Sequence, residues 1–282
     1  MERLRMVARA GREDATVLVR EAASALAAIG DDPAALVTAC RRLVDRQPTC
    51  GPMWWLAARV LSAADPAAEA WRAANDLVRD ETPAALAAAW PEGVTVVVLG
   101  CPPQVAEALV SRGDVRALVV DTLDEGSALV GWLRRADADA ELVPESGLAA
   151  AVRASQYVVL EAAAVGGTPG PSGPLSGVVG RPPGPSGLVA ASGSGAAAAC
   201  GRQSGVPVWA VAGEGRVLPG ELWTALAGRL TSRGRAWNEV EEIVPLDWVD
   251  QIVGPEGREA VAEGLTRPTC PPVPELLREV RR

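Results

Sequence analysis

The sequence predicts an α/β protein in which an N-terminal helical region precedes a Rossmann-like, doubly wound, mainly parallel sheet. Residues 13–80 hold apolar positions at helical spacing, with no strand-like run between them. Residues 94–99 then form a continuous apolar, β-branched run, which is typical of a strand buried on both faces. From there to residue 211, strand-like and helix-like segments alternate at βαβ spacing. We therefore place a helical domain at residues 1–90 and the α/β domain at residues 91–282.

Four helices are expected in the N-terminal region, separated by short polar breaks. In the first, residues 13–29, apolar side chains recur at helical spacing before Gly30. Each later helix opens on a proline, which suits the first helical turn. These helices are predicted to begin at Asp31-Asp32-Pro33, at Gly51-Pro52 and at Asp65-Pro66. They form one helical layer, in which we interpret Trp54 and Trp55 as packing residues.

The α/β region is expected to alternate strands with helices, which implies right-handed crossovers. The predicted strands are 94–99, 117–121, 141–143, 157–161 and 206–211, and the predicted helices are 102–111, 127–136, 146–154 and 196–202. One segment, Gly166 to Gly187, interrupts the pattern with Gly, Pro and Ser. We interpret it as a flexible surface loop, with a functional loop as the alternative.

The composition excludes several classes of protein. There is no His and no Lys, which removes His-based triads, His metal sites and Schiff-base chemistry. The five cysteines are widely spaced and form no CxxC pair, so we expect no metal site, and we expect no cofactor. The net charge of −8 and the scattered arginines argue against direct nucleic-acid binding. No membrane span and no secretory signal are recognisable, so we expect a cytoplasmic protein.

Four segments resemble the initiation-factor-2B-like family. Arg46 to Ala57 resembles its helical R-P-S/T-M-x-P-L-x-N-L-A segment, and Thr95 to Cys101 is similar to its first strand and the turn after it. Val119 to Gly126 resembles V-x-E-x-R-P-x-x-E-G, and Leu188 to Val211 resembles N-K-x-G-T followed by G-V-P-V/F-Y-V. The family holds the alpha, beta and delta subunits of eukaryotic initiation factor 2B. It also holds isomerases of methylthioribose 1-phosphate and ribose 1,5-bisphosphate.

The resemblance implies a homodimer formed through the α/β domain and a sugar-phosphate site with a paired Cys and Asp. Cys101 falls at the position of that Cys, whereas Ala163 stands where the Asp is expected. Ala190 and Ala191 replace the Asn and Lys of a later motif. Glu161 is the nearby carboxylate that could substitute for the Asp, although it lies two residues early. The proton relay of the isomerases is therefore predicted to be broken.

Cys101 and two further features carry chemistry. Cys101 precedes a helix start, where amide dipoles lower a thiol pKa, with an inert buried cysteine as the alternative. Gly193, Ser194 and Gly195 precede a helix whose first amides suit a phosphate, with simple capping by Ser194 as the alternative. Arg12 lies near the segment where the isomerases bind phosphate, with an exposed, solvated arginine as the alternative.

Two functions are compatible with these residues, and a purely structural interaction module is a third, weaker reading. The first is a catalytically degenerate family member that binds a phosphorylated sugar, a nucleotide or a protein partner in a regulatory role. The second is an active aldose–ketose isomerase of a phosphorylated pentose, with Cys101 and Glu161 as its catalytic residues. The replacement of Asp by Ala163 favours the first function.

Overall fold

The computed structural model describes residues 15–30, 32–167, 186–232 and 236–277. The helices of the N-terminal region are α1 (Ala15–Ala27), α2 (Pro33–Arg46), α3 (Gly51–Ser62), α4 (Pro66–Val78) and α5 (Thr82–Ala89). Aspartates cap two of them: the Asp32 carboxylate accepts from two amides of α2, and the Asp65 carboxylate accepts from Ala68 N at 2.9 Å. Helix α5 was not expected. Its sequence is mostly alanine and has no one-sided apolar stripe, so periodicity could not reveal it.

The remaining helices and the strands alternate along the chain. The strands are β1 (Thr95–Leu99), β2 (Arg116–Val120), β3 (Ala140–Val143), β4 (Tyr157–Glu161), β5 (Ala164–Gly166), β6 (Gly187–Ala191), β7 (Val208–Val211), β8 (Glu241–Pro245), β9 (Gln251–Gly254) and β10 (Gly257–Ala260). The helices are α6 (Pro103–Ser111), α7 (Gly126–Arg135), α8 (Leu148–Arg153), α9 (Ser194–Ser204), α10 (Gly220–Thr231) and α11 (Val261–Gly264).

The larger sheet has seven strands in the order β10-β9-β7-β4-β1-β2-β3, and only β10 is antiparallel to its neighbour. The predicted fold class, a helical region followed by a mainly parallel α/β sheet, is confirmed. The chain runs outward from β1 to β3 and then returns to place β4 on the other side of β1. This reversal is a topological switch point, where the carboxyl ends of the strands leave a crevice.

A second, three-stranded antiparallel sheet in the order β5-β6-β8 was not predicted. The proposed 166–187 loop is therefore wrong at both ends, because Gly166 in β5 and Gly187 in β6 pair with each other in this sheet. Glycine is needed at Gly166, since a Cβ there would lie 2.5 Å from the Cβ of Trp223. Residues 168–185, which make up most of the proposed loop, lie outside the described residues.

The helical region and the α/β region pack against each other through buried apolar residues. One core cluster joins α1 to α4 with the second sheet, with α10 and with the chain around Cys270 to Leu276. Trp54 and Trp55 are fully buried in this cluster, in agreement with their interpretation as packing residues. Helix α5 instead packs on the larger sheet through Leu86. The division of the chain at residue 90 stays a prediction.

Among the described residues, no helix combines the length and the apolar character that a bilayer crossing requires.

Candidate functional site

A cavity of about 750 Å³ lies at the carboxyl ends of β1 and β4, where the strand order reverses. We call it the switch-point cavity. Its lining includes Leu99, Cys101, Leu160, Glu161, Ala163, Ser194 and Arg216. The structure therefore brings Cys101, Glu161 and Ser194, three of the residues selected from the sequence, to one cavity.

Cys101 lies two residues beyond the end of β1 and precedes the first turn of α6. The chain turns at Gly100, whose φ of 63° is easily adopted only without a side chain, and Gly100 N donates to Val120 O at 3.0 Å. The Cys101 side chain is exposed and faces the cavity, which excludes the inert buried alternative. Its assignment as a reactive thiol stays a prediction.

Glu161 is the last residue of β4, and both of its carboxylate oxygens have partners. Oε2 accepts from Gln104 N at 2.8 Å and from Val105 N at 3.2 Å, in the first turn of α6. Oε1 lies 3.0 Å from Arg216 Nη1. Burial raises the pKa of the Glu161 carboxyl above its ordinary value, while Arg216 and the two amides act in the opposite direction.

Arg216 is a lining residue that the sequence analysis missed. It is only 8% exposed, and its Nη1 also donates to Ala162 O at 2.6 Å. Its backbone is fixed because Val165 N donates to Arg216 O at 2.7 Å. The available signal was an arginine five residues beyond the end of β7, inside the segment Gly213-Glu214-Gly215-Arg216, which matches no motif.

The start of α9 differs from the expectation in its capping residue. Gly193, with a φ of 95°, is the N-cap, and Ser194 is the first helical residue and is buried. Gly195 N donates to the Glu242 carboxylate at 3.0 Å. An internal anion therefore already holds one of the amides proposed for phosphate, as expected for a carboxylate at a helix N-terminus. Phosphate binding by Gly193, Ser194 and Gly195 stays a prediction.

Ala163 lines the cavity, where the resemblance places an aspartate. Its carbonyl accepts a hydrogen bond from Gly51 N at 2.9 Å, at the start of α3. The methyl side chain of Ala163 carries no titratable group. Arg12, the other proposed phosphate ligand, lies outside the described residues.

The turn after β2 supplies acidic residues to the cavity wall. Asp124 and Glu125 both line it, and Leu123 and Asp124 adopt positive φ values of 57° and 59°. Such values are uncommon for residues other than glycine. Within the described ranges, no group of three or more His, Cys, Asp or Glu side chains could hold a metal ion.

Comparisons with solved structures identify the fold. A translation initiation factor eIF-2B from Pyrococcus horikoshii OT3 superposes with a TM-score of 0.72 at 12% identity, covering 94% of this chain and 98% of that one. The chain has the fold of the initiation-factor-2B proteins. eIF2B beta from Chaetomium thermophilum is similar with a TM-score of 0.70 at 16% identity, covering 94% of this chain and 88% of that one.

A chain of the tetrameric eIF2B-beta2-delta2 complex from C. thermophilum is also similar, with a TM-score of 0.67 at 17% identity, covering 94% of this chain and 90% of that one. Identities this low establish the fold alone. No protein-family model matches the sequence, and no curated protein matches it. The resemblance drawn from the sequence segments is confirmed at the level of the fold.

Proposed function

We propose that this chain is a divergent initiation-factor-2B-like protein that binds a phosphorylated small molecule in the switch-point cavity and does not convert it. The observation that carries the proposal is the composition of the cavity. It holds Cys101 and Glu161 together, but Ala163 stands where the resemblance requires the proton-transferring aspartate.

The position and chemistry of the cavity support small-molecule binding. Open α/β sheets bind ligands at the switch point, outside the carboxyl ends of the strands. A volume of about 750 Å³ lies within the range of typical ligand sites. The lining combines two arginines, Arg46 and Arg216, with the carboxylates of Asp124, Glu125, Glu161 and Glu241. Arginines recognise phosphate and carboxylates accept from hydroxyls, so the wall suits a sugar phosphate.

The partners of Glu161 argue against turnover. Moving a carbonyl between adjacent carbons of a sugar requires a residue that exchanges protons with the sugar oxygens. Glu161 uses one oxygen for Arg216 and the other for two amides of α6. Those contacts stabilise the carboxylate where it is and leave it poorly placed to exchange protons with a ligand. Loss of a general acid–base group costs about 10²–10⁴ in rate.

An active aldose–ketose isomerase of a phosphorylated pentose is the second candidate. One observation favours it: Glu161 is a buried carboxyl with a raised pKa, in the same cavity as the exposed Cys101. A raised carboxyl pKa is a property of many general acids. Both candidates bind a phosphorylated ligand, and only the isomerase converts it.

The experiment that tests the proposal is a thermal-shift and calorimetric titration with ribose 5-phosphate, ribose 1,5-bisphosphate and adenosine monophosphate. Ribose and adenosine serve as matched controls without phosphate. We expect the phosphorylated compounds alone to raise the melting temperature, because a ligand at about 100 times its Kd stabilises the folded state by about 2.7 kcal/mol. If no phosphorylated compound binds, the proposal is wrong.

We extend the proposal to assembly and cellular role. The beta and delta proteins of C. thermophilum are found in a tetrameric complex, which supports association as a general property of this fold. We propose a homodimer formed through the α/β region, a cytoplasmic location, and a regulatory role exerted through the bound ligand or through a partner protein. Sedimentation at micromolar concentration tests the homodimer, and a monomer at that concentration would contradict it.

A further inference from the structure

Arg216 binds its protein partners through only one of its three guanidinium nitrogens. Nη1 contacts both Glu161 Oε1 and Ala162 O, at 3.0 and 2.6 Å. Within the part of the chain that the structure describes, Nε and Nη2 of Arg216 make no hydrogen bond. Neither nitrogen is among the side-chain polar atoms that are completely buried without a partner. Arg216 is 92% buried and lines the switch-point cavity, so the cavity is where a ligand would meet these two donors.

This geometry is unlike that of an ion pair formed only for stability. Buried arginine–carboxylate pairs are frequently bidentate, with two parallel N–H to oxygen bonds. Here Glu161 turns its second oxygen to the amides of Gln104 and Val105 instead. Two guanidinium donors therefore remain for a group that is not part of the described protein.

The backbone that carries Arg216 is held by neighbouring segments, and the contacts of Nη1 hold its guanidinium. Two backbone hydrogen bonds join this part of the chain to Val165. Val165 N donates to Arg216 O, and Leu218 N donates to Val165 O at 2.9 Å. Gly215, with a φ of 72°, brings the chain so close to Trp55 that a Cβ would lie 2.9 Å from its ring. A guanidinium anchored in this way loses little freedom when it binds a ligand.

The alternative anion site is already engaged. The amide of Gly195 at the start of α9 donates to Glu242, so a ligand phosphate would have to displace that carboxylate. Arg216 requires no displacement. We infer that Arg216 is the anion-recognition residue of the switch-point cavity and holds the phosphate of the ligand through Nε and Nη2. This inference rests on the proposed function, to which it adds the residue and the chemical group that it recognises.

Glu161 then acts as a positioning residue for Arg216. It orients the guanidinium, and its negative charge partly offsets the attraction of the arginine for an anion. Two neutralising variants consequently have opposite effects. Glu161→Gln keeps Arg216 and removes the opposing charge, so phosphate affinity should rise. Arg216→Gln removes the donors, so phosphate affinity should fall. A merely structural ion pair would give a loss in both variants.

The test is calorimetric titration of the full-length protein with ribose 5-phosphate and with inorganic phosphate. We expect Arg216→Gln to weaken binding at least about tenfold, as for loss of hydrogen bonds to a charged group. We expect Glu161→Gln to strengthen binding severalfold. Arg153→Gln, an exposed arginine at the end of α8, is the matched control and should bind like the wild type.

Arg216→Gln leaves the Glu161 charge buried without its ion-pair partner, so this single variant is at risk of misfolding. A double variant avoids the unpaired charge and keeps the test decisive. Glu161→Gln with Arg216→Gln removes both charges, and it differs from Glu161→Gln only at Arg216. Weaker binding by the double variant than by Glu161→Gln supports the inference. Equal affinities of folded variants with and without Arg216 overturn the inference but leave the proposed function standing. Absence of binding by the wild type overturns both.

Discussion

Gly51 and Ala163 are joined by a backbone hydrogen bond of 2.9 Å that fixes the start of α3 against the switch-point cavity. The contact leaves no room for a side chain, since a Cβ on Gly51 would lie 2.6 Å from Ala163 O. The start of α3 is therefore held directly against the wall of the cavity. Cys50, the residue before Gly51, lines the cavity as well.

We predict that Gly51→Ala destabilises the protein. The new methyl group would press on the Ala163 carbonyl, which is backbone and cannot rotate away, and overpacking of this kind costs about 1–3 kcal/mol. Chemical denaturation with urea measures the change. Gly131→Ala is the control, because Gly131 is an exposed position of α7 where a Cβ meets nothing within 4 Å. It should be neutral or stabilising by up to about 1 kcal/mol. Equal stabilities of the two variants would contradict the close contact.

We predict that native-state alkylation separates the cysteines by burial. Cys101 is exposed, whereas burial raises the pKa of the Cys40 and Cys270 thiols to about 12. At pH 8, Cys40 and Cys270 are therefore almost entirely protonated, and the thiolate is the reactive form. Iodoacetamide followed by peptide mass spectrometry should label Cys101 first and leave the other two unlabelled until the protein unfolds. Labelling of Cys40 or Cys270 before Cys101 in the folded protein would contradict this order.

We predict that Glu242→Ala opens the start of α9 to anions. The wild-type carboxylate accepts from Gly195 N, so its removal exposes this amide and deletes a negative charge. Stability should fall by about 1 kcal/mol, as for the loss of a capping interaction, and phosphate affinity should rise. Urea denaturation and phosphate titration measure the two effects. An unchanged phosphate affinity would show that Gly193, Ser194 and Gly195 do not form an anion site.

We predict that residues 168–185 can be replaced by Asn-Gly without loss of the fold. The flanking strands β5 and β6 are antiparallel, and Gly166 already pairs with Gly187. A two-residue Asn-Gly turn suits such a connection. The unfolding free energy should change by less than about 1 kcal/mol, since few apolar residues are removed. Loss of cooperative unfolding would show that the segment contributes to the core.

The sequence was sufficient for five of the seven strands of the larger sheet, because its central strands are apolar and β-branched, whereas β9 and β10 were not predicted. Residues 94–99 predicted β1 to within one residue at its start. β6 was missed because Gly187-Leu188-Val189-Ala190-Ala191 holds small residues, and its strand character comes from pairing with β8. Long-range pairing of this kind cannot be read from local periodicity.

The candidate site was only partly predictable for a similar reason. Cys101 comes after the apolar strand β1 and Glu161 ends β4, and the carboxyl ends of parallel strands meet at the same edge of a sheet. Arg216 reaches the cavity through a turn fixed by Trp55 and Val165, which are distant in sequence. Ser194 was considered as the N-cap of α9 because serine favours that position. The N-cap is instead Gly193, since the backbone at the cap is left-handed and glycine adopts that conformation readily.

The central claim is binding without turnover, and one paired measurement tests it most directly. Wild-type protein is titrated with ribose 1,5-bisphosphate and methylthioribose 1-phosphate, and the same mixtures are then followed by NMR for conversion to the ketose. We expect at least one compound to bind and neither to be converted, because Ala163 has no proton to exchange and both oxygens of Glu161 are engaged. Conversion that Cys101→Ser abolishes would contradict the account and identify the protein as an active isomerase.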